Sequence, residues 1–378
     1  MPKGEDRMQR VITGRSCLNA ANLTLLMAQL NMRRPLLVCS RRMQADFVSR
    51  TGFDFPLFSG YHPNPDLADC TAGADMYRQQ GCDGLISIGG GSAMDTAKAV
   101  KAILVAQDMA DVQASRLPEG VPLPHIAVPA TAGTGAEATP IAVVYVEGEK
   151  LSLDHPSLLP EAILLDSALL TTLPPYHKKA CAMDALCQGI ESFWAVKATT
   201  ESRLHAKRAI LGVLHNLDAY LAGEAAAADA VLTAAYESGC AIRISRTTAA
   251  HAMSYQITKR IGPAHGHACM LTMPWLWRHM GEAPVLAELN RLMGAEDGAE
   301  LMLGLLAATE MLPDAMPDDA TLDALAASVN PQRLGNHPDP LSTSVLRDIY
   351  VRAFTPLDED ERTRLASLWR NYAAEHGR

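Results

Sequence analysis

Four short apolar runs alternate with helical stretches in the first half of the chain, and this alternation is the feature that most constrains the fold. The runs occupy residues 36–39, 84–88, 123–129 and 162–166. A strand that is apolar throughout is buried on both faces, which is typical of a parallel sheet covered by helices on both sides. We therefore expect an α/β domain with a Rossmann-like parallel sheet at the start of the chain.

The sequence changes character near residues 171–175, where Pro174 and Pro175 interrupt regular structure. Long alanine- and leucine-rich stretches with few strand signals follow. A length of 378 residues suffices for two domains of ordinary size. We predict an α/β domain over residues 1–172 and an all-helical domain over residues 173–378.

Charge and composition argue against several classes of protein. The chain has 33 basic and 42 acidic residues, and its formal net charge of −9 does not favour nucleic-acid binding. No apolar run is long enough for a membrane helix, and residues 1–15 lack the apolar segment of a signal peptide. The eight cysteines include no C-x-x-C pair, which suits reduced thiols. We expect a cytoplasmic protein that binds neither membrane nor nucleic acid.

A glycine-rich turn lies where a predicted strand meets a predicted helix. Because Gly89, Gly90 and Gly91 lack a Cβ, their backbone N–H groups can approach a pyrophosphate, and Ser92 is predicted to cap the helix. A second loop of small residues, 129–137, also follows a strand. Two such loops at the carboxyl ends of strands mark the ligand site of open α/β sheets. The alternative is a tight structural turn.

One carboxylate and several histidines lie in the helical second half. Asp184 and Gln188 are four residues apart and share a helix face. His251 lies in a second helical stretch, and His265 and His267 follow a Gly-Pro break. One carboxylate with two or three imidazoles suits a divalent first-row metal with one position open to substrate. A polar seam between helices, with hydrogen-bonded core histidines, is the alternative.

Together these segments resemble the iron-containing (group III) alcohol dehydrogenases over nearly the whole chain. The resemblance rests on G-G-G-S-x-x-D at 89–95, T-A-G-T-G-x-E at 131–137, Asp184, and the H-x13-H spacing of His251 and His265. It implies a nicotinamide dinucleotide in the α/β domain and a divalent metal, usually Fe(II), in the helical domain. The implied fold is the one shared with dehydroquinate synthase, with coenzyme and metal meeting at a cleft between the domains.

The metal ligands that the resemblance implies are Asp184, Gln188, His251 and His265. Gln188 stands where the family carries a histidine, and an amide oxygen is a weaker ligand than an imidazole. The metal therefore stays open among Fe(II), Zn(II) and Mn(II). Tyr255 stands where many members carry a proton-relaying histidine, so either Tyr255 or the nearby His267 is the expected catalytic group.

The end of the first apolar run favours NADP(H) over NAD(H). Ser40, Arg41 and Arg42 stand where the family often has an acidic residue that holds the ribose hydroxyls, and cations attract a 2′-phosphate. Two surface arginines are the alternative. The residues expected to contact the dinucleotide are Ser40, Arg41, Asn64, Gly90, Gly91, Ser92, Asp95, Thr131, Thr134 and Lys150.

One branch of the family, the phosphonoacetaldehyde reductases, is similar to this chain at residues 150–160, 184–188, 247–255 and 263–267. The similarity implies reduction of phosphonoacetaldehyde to 2-hydroxyethylphosphonate in phosphonate natural-product biosynthesis. Independently, a phosphonate dianion requires cationic donors near the metal, and the candidates flanking the metal-binding helix are Arg243, Arg246 and Lys259. A solvated basic helix face is the alternative.

Three other functions compete with this one. The first is a general short-chain alcohol dehydrogenase or aldehyde reductase. The second is a dehydroquinate-synthase-like lyase, which would consume no coenzyme. The third is a non-catalytic binding protein that lost its metal at Gln188. We also expect a homo-oligomer, most simply a dimer.

Overall fold

The structure, a computed structural model, describes residues 9–120 and 122–377. These residues form two compact units, of which the first runs to Thr131 and resumes over Gly135–Thr172. The second unit holds Ala132–Thr134 and the chain from Leu173 onward. The main change of unit falls between residues 172 and 173, and the chain also makes a three-residue excursion into the second unit at 132–134. Residues 1–8, part of the segment used to argue against a signal peptide, lie outside the described residues.

The first unit contains a parallel sheet of six strands in the order β1-β8-β5-β4-β2-β3 and an antiparallel hairpin of β6 and β7. The prediction of a parallel α/β sheet is confirmed, and the four apolar runs overlap β2, β4, β5 and β8. The strands are β1 Arg10–Thr13, β2 Pro35–Val38, β3 Leu57–Phe58, β4 Gly84–Gly89, β5 His125–Pro129, β6 Ile141–Val146, β7 Glu149–Asp154 and β8 Ala162–Leu165.

Two separate hydrophobic cores show that both faces of the sheet are covered. Leu36 and Val38 of β2 pack in one core, with residues 97–103. Leu37, which points to the opposite face, packs in the other core with Leu23 and Phe47. The helices of this unit are α1 Ala20–Gln29, α2 Arg41–Thr51, α3 Leu67–Gln79, α4 Gly91–Val105 and α5 Met109–Gln113.

The described part of the second unit is helical, as the alanine- and leucine-rich stretches predicted. Its longest helices, α6 and α9, have 20 and 21 residues, and among the described residues no helix is long and apolar enough to cross a membrane. The helices are α6 Pro175–Trp194, α7 Thr200–Leu214, α8 Leu217–Leu221, α9 Ala225–Ser245, α10 Ala249–Arg260, α11 His265–His279, α12 Pro284–Met293, α13 Gly298–Ala308, α14 Asp319–Ala327, α15 Pro331–Leu334, α16 Thr343–Phe354 and α17 Glu359–His376.

The helix after the glycine-rich turn begins earlier than the sequence predicted. Its N-cap is Gly90, which has extended backbone angles and no side-chain capping bond, so the prediction of Ser92 as N-cap is wrong. Ser92 is already the second residue of α4. Its hydroxyl instead accepts a hydrogen bond from the Asn64 N–H at 3.2 Å. The first turn of α4 therefore lacks a side-chain cap of its own.

Candidate functional site

The turn between β4 and α4 is closely packed against the loop that follows β5. Gly89 has a φ of +154°, and a Cβ there would lie 2.8 Å from the Cβ of Ala93. A Cβ on Gly90 would lie 3.2 Å from Thr131 Cγ2. The turn therefore has little room for side chains, and it presents the backbone N–H groups at the start of α4. Such a turn is suited to a pyrophosphate.

Several of the predicted coenzyme contacts surround this turn within the first unit. Asn64, with a φ of +58°, donates its backbone N–H to Ser92. Asp95, one turn into α4, accepts a hydrogen bond from the Val143 N–H. Burial raises the pKa of Asp95 to about 6, although the charges of Lys98 and Lys150 oppose the rise. Asn64, Ser92 and Asp95 therefore lie close to the turn, where they can form one side of the predicted coenzyme site.

Other predicted coenzyme contacts lie farther from the turn. Ser40 caps α2 by accepting from the Met43 N–H at 3.3 Å, and both Ser40 and Arg41 are exposed just past the end of β2. Because β2 pairs with β4 in parallel, their carboxyl ends share one edge of the sheet. Thr134 instead belongs to the helical unit.

In the helical unit, three helices bring a carboxylate, two imidazoles and a thiol together. Asp184 lies on α6, His251 on α10, and His265 and Cys269 on α11. One ligand atom from each lies within 4.8 Å of the others, and Asp184 Oδ1 is 3.2 Å from His251 Nε2 and 3.9 Å from His265 Nε2. The structure thus brings three of the four predicted ligands together and adds Cys269, which the sequence analysis missed.

Close packing of α11 against α6 makes this cluster possible. Gly266 lies beside Ala180 and Asp184, and a Cβ there would clash with the Ala180 carbonyl oxygen and lie 2.6 Å from Asp184 Cβ. Only a glycine lets the two backbones approach this far. The glycine next to His265 therefore sets the distance between the ligands of the two helices.

Gln188 does not present its oxygen to the cluster. Its Oε1 accepts a hydrogen bond from Ser238 Oγ at 2.7 Å, while its Nε2 donates to the Thr134 carbonyl at 3.2 Å and to Asp184 Oδ1 at 3.3 Å. The amide therefore orients the carboxylate of Asp184, and the structure does not support the expected ligand role of Gln188.

A buried carboxylate that the sequence analysis missed holds His251 in place. Glu191 Oε2 bonds His251 Nδ1, and Glu191 Oε1 accepts from Thr248 Oγ1 at 2.7 Å and from the Ala250 N–H at 2.8 Å. With Nδ1 engaged by Glu191, the Nε2 atom of His251 faces Asp184. The helical spacing of Glu191 from Asp184 was the available signal for this role.

The carboxyl and imidazole groups of the cluster stabilise each other's charged forms. Burial opposes ionisation of Asp184, but its hydrogen bond to His251 and the charge of His265 outweigh burial and lower the pKa of the carboxyl. Burial likewise opposes protonation of His251, but the charges of Cys269 and Glu191 hold the pKa of that imidazole well above its usual range. A bound cation would replace the protons on the imidazoles. The donor set therefore fits a divalent transition metal.

Tyr255, one of the two candidate proton donors, contacts the cluster. Its ring stacks on His265 at 5.6 Å, and its hydroxyl accepts a hydrogen bond from Arg333 Nη1 at 2.7 Å. Both nitrogens of His267 are engaged elsewhere, by the Tyr176 hydroxyl at 3.1 Å and the Met311 carbonyl at 2.8 Å. His267 thus has a packing role in this structure, and Arg333 is a cation that the sequence analysis missed.

Among the predicted substrate cations, Arg246 has the most constrained backbone. It ends α9 with a φ of +64°, and Asn336 Nδ2 bonds the carbonyls on both sides of it, at 2.8 Å to Ser245 and 3.0 Å to Thr247. Arg243 lies in the last turn of α9, and Lys259 is exposed in the last turn of α10. The backbone of Arg246 is therefore held at a positive φ with an extended ψ of 171°, a combination that is found almost only at glycine.

Comparisons with known proteins match both units. The model for iron-containing alcohol dehydrogenase matches residues 9–167, and the model for the C-terminal region of the Fe-containing alcohol dehydrogenase family matches residues 179–327. Phosphonoacetaldehyde reductase from Streptomyces viridochromogenes is 38% identical over 59% of this chain and 60% of its own length. The match thus spans less than two thirds of that relative. The probable alcohol dehydrogenase EutG of Escherichia coli is 30% identical over 76% of this chain and 73% of its own length.

The fold matches solved structures over almost the whole chain. Sulfoacetaldehyde reductase from Bifidobacterium kashiwanohense, crystallised with NAD+, is 25% identical with a TM-score of 0.84, covering 93% of this chain and 99% of that one. The iron-containing alcohol dehydrogenase of Thermotoga maritima, at 24% identity and a TM-score of 0.81, covers 92% of this chain and 98% of its own. The second likeness supports the fold alone.

Proposed function

This chain belongs to the iron-containing alcohol dehydrogenase family, and from that premise we propose that it is a metal-dependent, nicotinamide-linked reductase of phosphonoacetaldehyde. The observation that carries the proposal is the convergence of Asp184, His251 and His265 from three helices onto one small volume. The product would be 2-hydroxyethylphosphonate. The general alternative, a reductase of neutral short-chain aldehydes, requires the same cluster but no cationic pocket.

The preference for an anionic aldehyde is supported by two relatives and by the cations of this chain. One relative is named for a phosphonate aldehyde and one solved structure for a sulfonate aldehyde. In this chain, Arg246 is two residues from Thr248, and Thr248 shares the carboxylate of Glu191 with His251. Arg333 reaches the cluster through Tyr255. A guanidinium can meet a phosphonate with two parallel hydrogen bonds.

Asp184, His251 and His265 would hold the metal, which when bound polarises a carbonyl and stabilises negative charge that develops on its oxygen. Glu191 keeps the Nε2 atom of His251 directed at the cluster. Tyr255 would pass a proton to the product oxygen, and the Arg333 guanidinium would stabilise the phenolate left behind. The reducing hydride comes from the nicotinamide coenzyme.

A panel of aldehydes with NADPH tests the substrate assignment. Phosphonoacetaldehyde should be reduced with a much higher kcat/KM than propanal, and Arg246→Ala should raise KM for the phosphonate at least about tenfold while changing the KM for propanal little. Arg260→Ala is the matched control, since Arg260 is exposed on α10 and bonds Gln256. An equal rise in KM for both aldehydes would show that Arg246 does not bind the phosphonate. Aldehyde-independent turnover without loss of NADPH would indicate the lyase.

The NADP(H) preference is supported by the absence of a carboxylate at residues 40–42 and by the exposure of Ser40 and of both arginines that follow it. We expect kcat/KM for NADPH to exceed that for NADH, and the double change Arg41→Ala with Arg42→Ala to reduce this preference about tenfold. Arg33→Ala, at another exposed position, should leave it unchanged. A wild-type preference for NADH would contradict the assignment.

A further inference from the structure

We infer that Cys269 is a thiolate ligand of the metal and supplies the fourth donor, which the family pattern assigns to residue 188. The site would then consist of Asp184, His251, His265 and Cys269. This inference rests on the proposed function only in requiring that a metal is bound in the helical unit. It concerns which atoms hold the ion and does not depend on which aldehyde is reduced.

The position of Cys269 is that of a ligand. It is buried on α11 one turn after His265, so the two side chains share a helix face. Its Sγ lies 3.9 Å from His265 Nε2. Ligand atoms at about 2.0–2.3 Å from a tetrahedral ion lie roughly 3.3–3.8 Å apart. The separations in the cluster, 3.2 Å and 3.9 Å from Asp184 to the two imidazoles, are close to that range.

The surroundings of Gln188 dictate which end of its amide faces the cluster. The Thr134 carbonyl and the Asp184 carboxylate both accept hydrogen bonds from the Nε2 atom, and the Ser238 hydroxyl donates to Oε1. Turning the amide over would place its oxygen against two oxygen acceptors. The oxygen of Gln188 is therefore held away from the metal, and the cluster lacks a fourth donor unless Cys269 supplies it.

A thiolate changes the chemistry of the site. With the carboxylate of Asp184 and the thiolate of Cys269, the four side chains carry two negative charges and balance a divalent ion. Sulfur is a soft ligand that favours zinc, cobalt and iron over manganese and magnesium. The alternative role for Cys269 is that of a small buried hydrophobe below a three-ligand site. The two roles differ in whether sulfur bonds the metal.

Cobalt(II) spectroscopy separates these roles, because a thiolate bonded to Co2+ gives an intense near-ultraviolet charge-transfer band that imidazole and carboxylate ligands do not give. The metal-free full-length protein is titrated with Co2+ alone. Wild-type protein should show the band at one ion per chain. Cys269→Ser should lose the band and bind Co2+ at least about tenfold more weakly. Cys240→Ser, which changes a buried thiol outside the cluster, should keep it.

Gln188→Leu provides the complementary test. If Gln188 only orients Asp184, this variant should retain the charge-transfer band while its Co2+ affinity falls about 10- to 100-fold. Loss of the cobalt site in Gln188→Leu with an unchanged site in Cys269→Ser would overturn the inference. Should Cys269→Ser fail to fold, the wild-type spectrum still decides, because a bound Co2+ without the band excludes a thiolate ligand.

The outcome is independent of the substrate assignment. A chain that shows the cobalt–thiolate band but reduces no aldehyde would retain Cys269 as a ligand and refute the proposed function. An active reductase whose cobalt form lacks the band would retain the function and refute the inference. A full-length chain that binds no Co2+ would overturn the inference directly.

Discussion

The two candidate binding regions are built from different parts of the polypeptide. In the sheet unit, the turn that contains Gly89 and Gly90 offers backbone N–H groups from one short segment. In the helical unit, the donors are side chains that come from α6, α10 and α11. A site made of backbone groups depends on its glycines, and added side chains there are poorly tolerated. A side-chain site depends on how helices pack, so one ligand residue can be replaced by another while the site stays between the same helices.

The largest effect should come from Gly266→Ala, which disrupts the close packing of α11 against α6 on which the side-chain site depends. The added Cβ would meet the Ala180 carbonyl oxygen and the Asp184 Cβ, so α11 must move away from α6. We expect almost complete loss of bound metal and a fall in Tm of about 5–10 °C, measured by metal analysis and calorimetry. Gly335→Ala is the control, because its nearest neighbour would be the Gln332 carbonyl at 3.6 Å.

Glu191→Gln tests the carboxylate that orients His251 in the same site. The amide keeps the shape of the carboxylate but removes the charge that bonds His251 Nδ1. We expect metal affinity to fall about 10- to 100-fold while the Kd for the dinucleotide stays unchanged. Glu237→Gln, which changes a carboxylate paired with His205 away from the cluster, should affect neither quantity. A parallel loss of dinucleotide affinity would contradict a role of Glu191 in metal binding alone.

Lowering the pH should reduce the free energy of unfolding of the helical unit through protonation of His337. This residue packs on Trp194 and forms a hydrogen bond with Thr248. Burial lowers the pKa of His337 to about 4, whereas in the unfolded chain it titrates near its usual value. The unfolded state therefore binds more protons as the pH falls, and this group alone should remove about 2 kcal/mol of unfolding free energy between pH 7 and pH 5. Chemical denaturation across this pH range measures the slope.

His337→Phe should flatten that pH dependence, because a phenyl ring keeps the contact with Trp194 and cannot take up a proton. The exposed His177 provides the control, and His177→Asn should leave the slope as it is in the wild type. If His337→Phe unfolds with the same pH dependence as the wild type, the acid sensitivity has another source.

The smallest effect should come from Gly90→Ala in the backbone site. The new Cβ would press on the Thr131 Cγ2 methyl at 3.2 Å, and a shift of a few tenths of an ångström relieves the contact. We expect KM for the dinucleotide to rise about three- to tenfold, with metal content unchanged, since a small displacement of the turn costs about 1 kcal/mol. A loss of metal in this variant would show that the two regions are not independent.

The sequence predicted the parts of the fold that depend on local pattern. Alternating apolar runs predicted the parallel sheet, and three glycines marked the turn, but the N-cap is Gly90 instead of Ser92, because composition does not show a difference of two residues in where a helix begins. The ligand set was harder to predict, since the neighbours that Gln188 and Cys269 meet depend on the distance between α6 and α11 and on the rotamers of their side chains. The homodimer and the phosphonate substrate stay predictions.

The contribution of Arg333 could not be predicted for a similar reason. Arg333 lies far along the chain from Tyr255, and their hydrogen bond arises only when α15 is placed beside α10. The choice between Tyr255 and His267 depends likewise on which neighbours each ring meets. Spacing along the chain identifies candidate groups, whereas tertiary packing decides which of them meet.

The loop Ala132–Thr134 has a consequence for any attempt to produce the helical half by itself. The chain leaves the sheet unit after Thr131, contributes these three residues to the helical unit and then returns. Gly133 sits against Cys181, and the carbonyl of Thr134 accepts from Gln188. A fragment that starts at residue 173 would therefore omit a piece of its own interior and leave the Gln188 amide without one of its two acceptors. The sequence that forms the helical unit is therefore discontinuous.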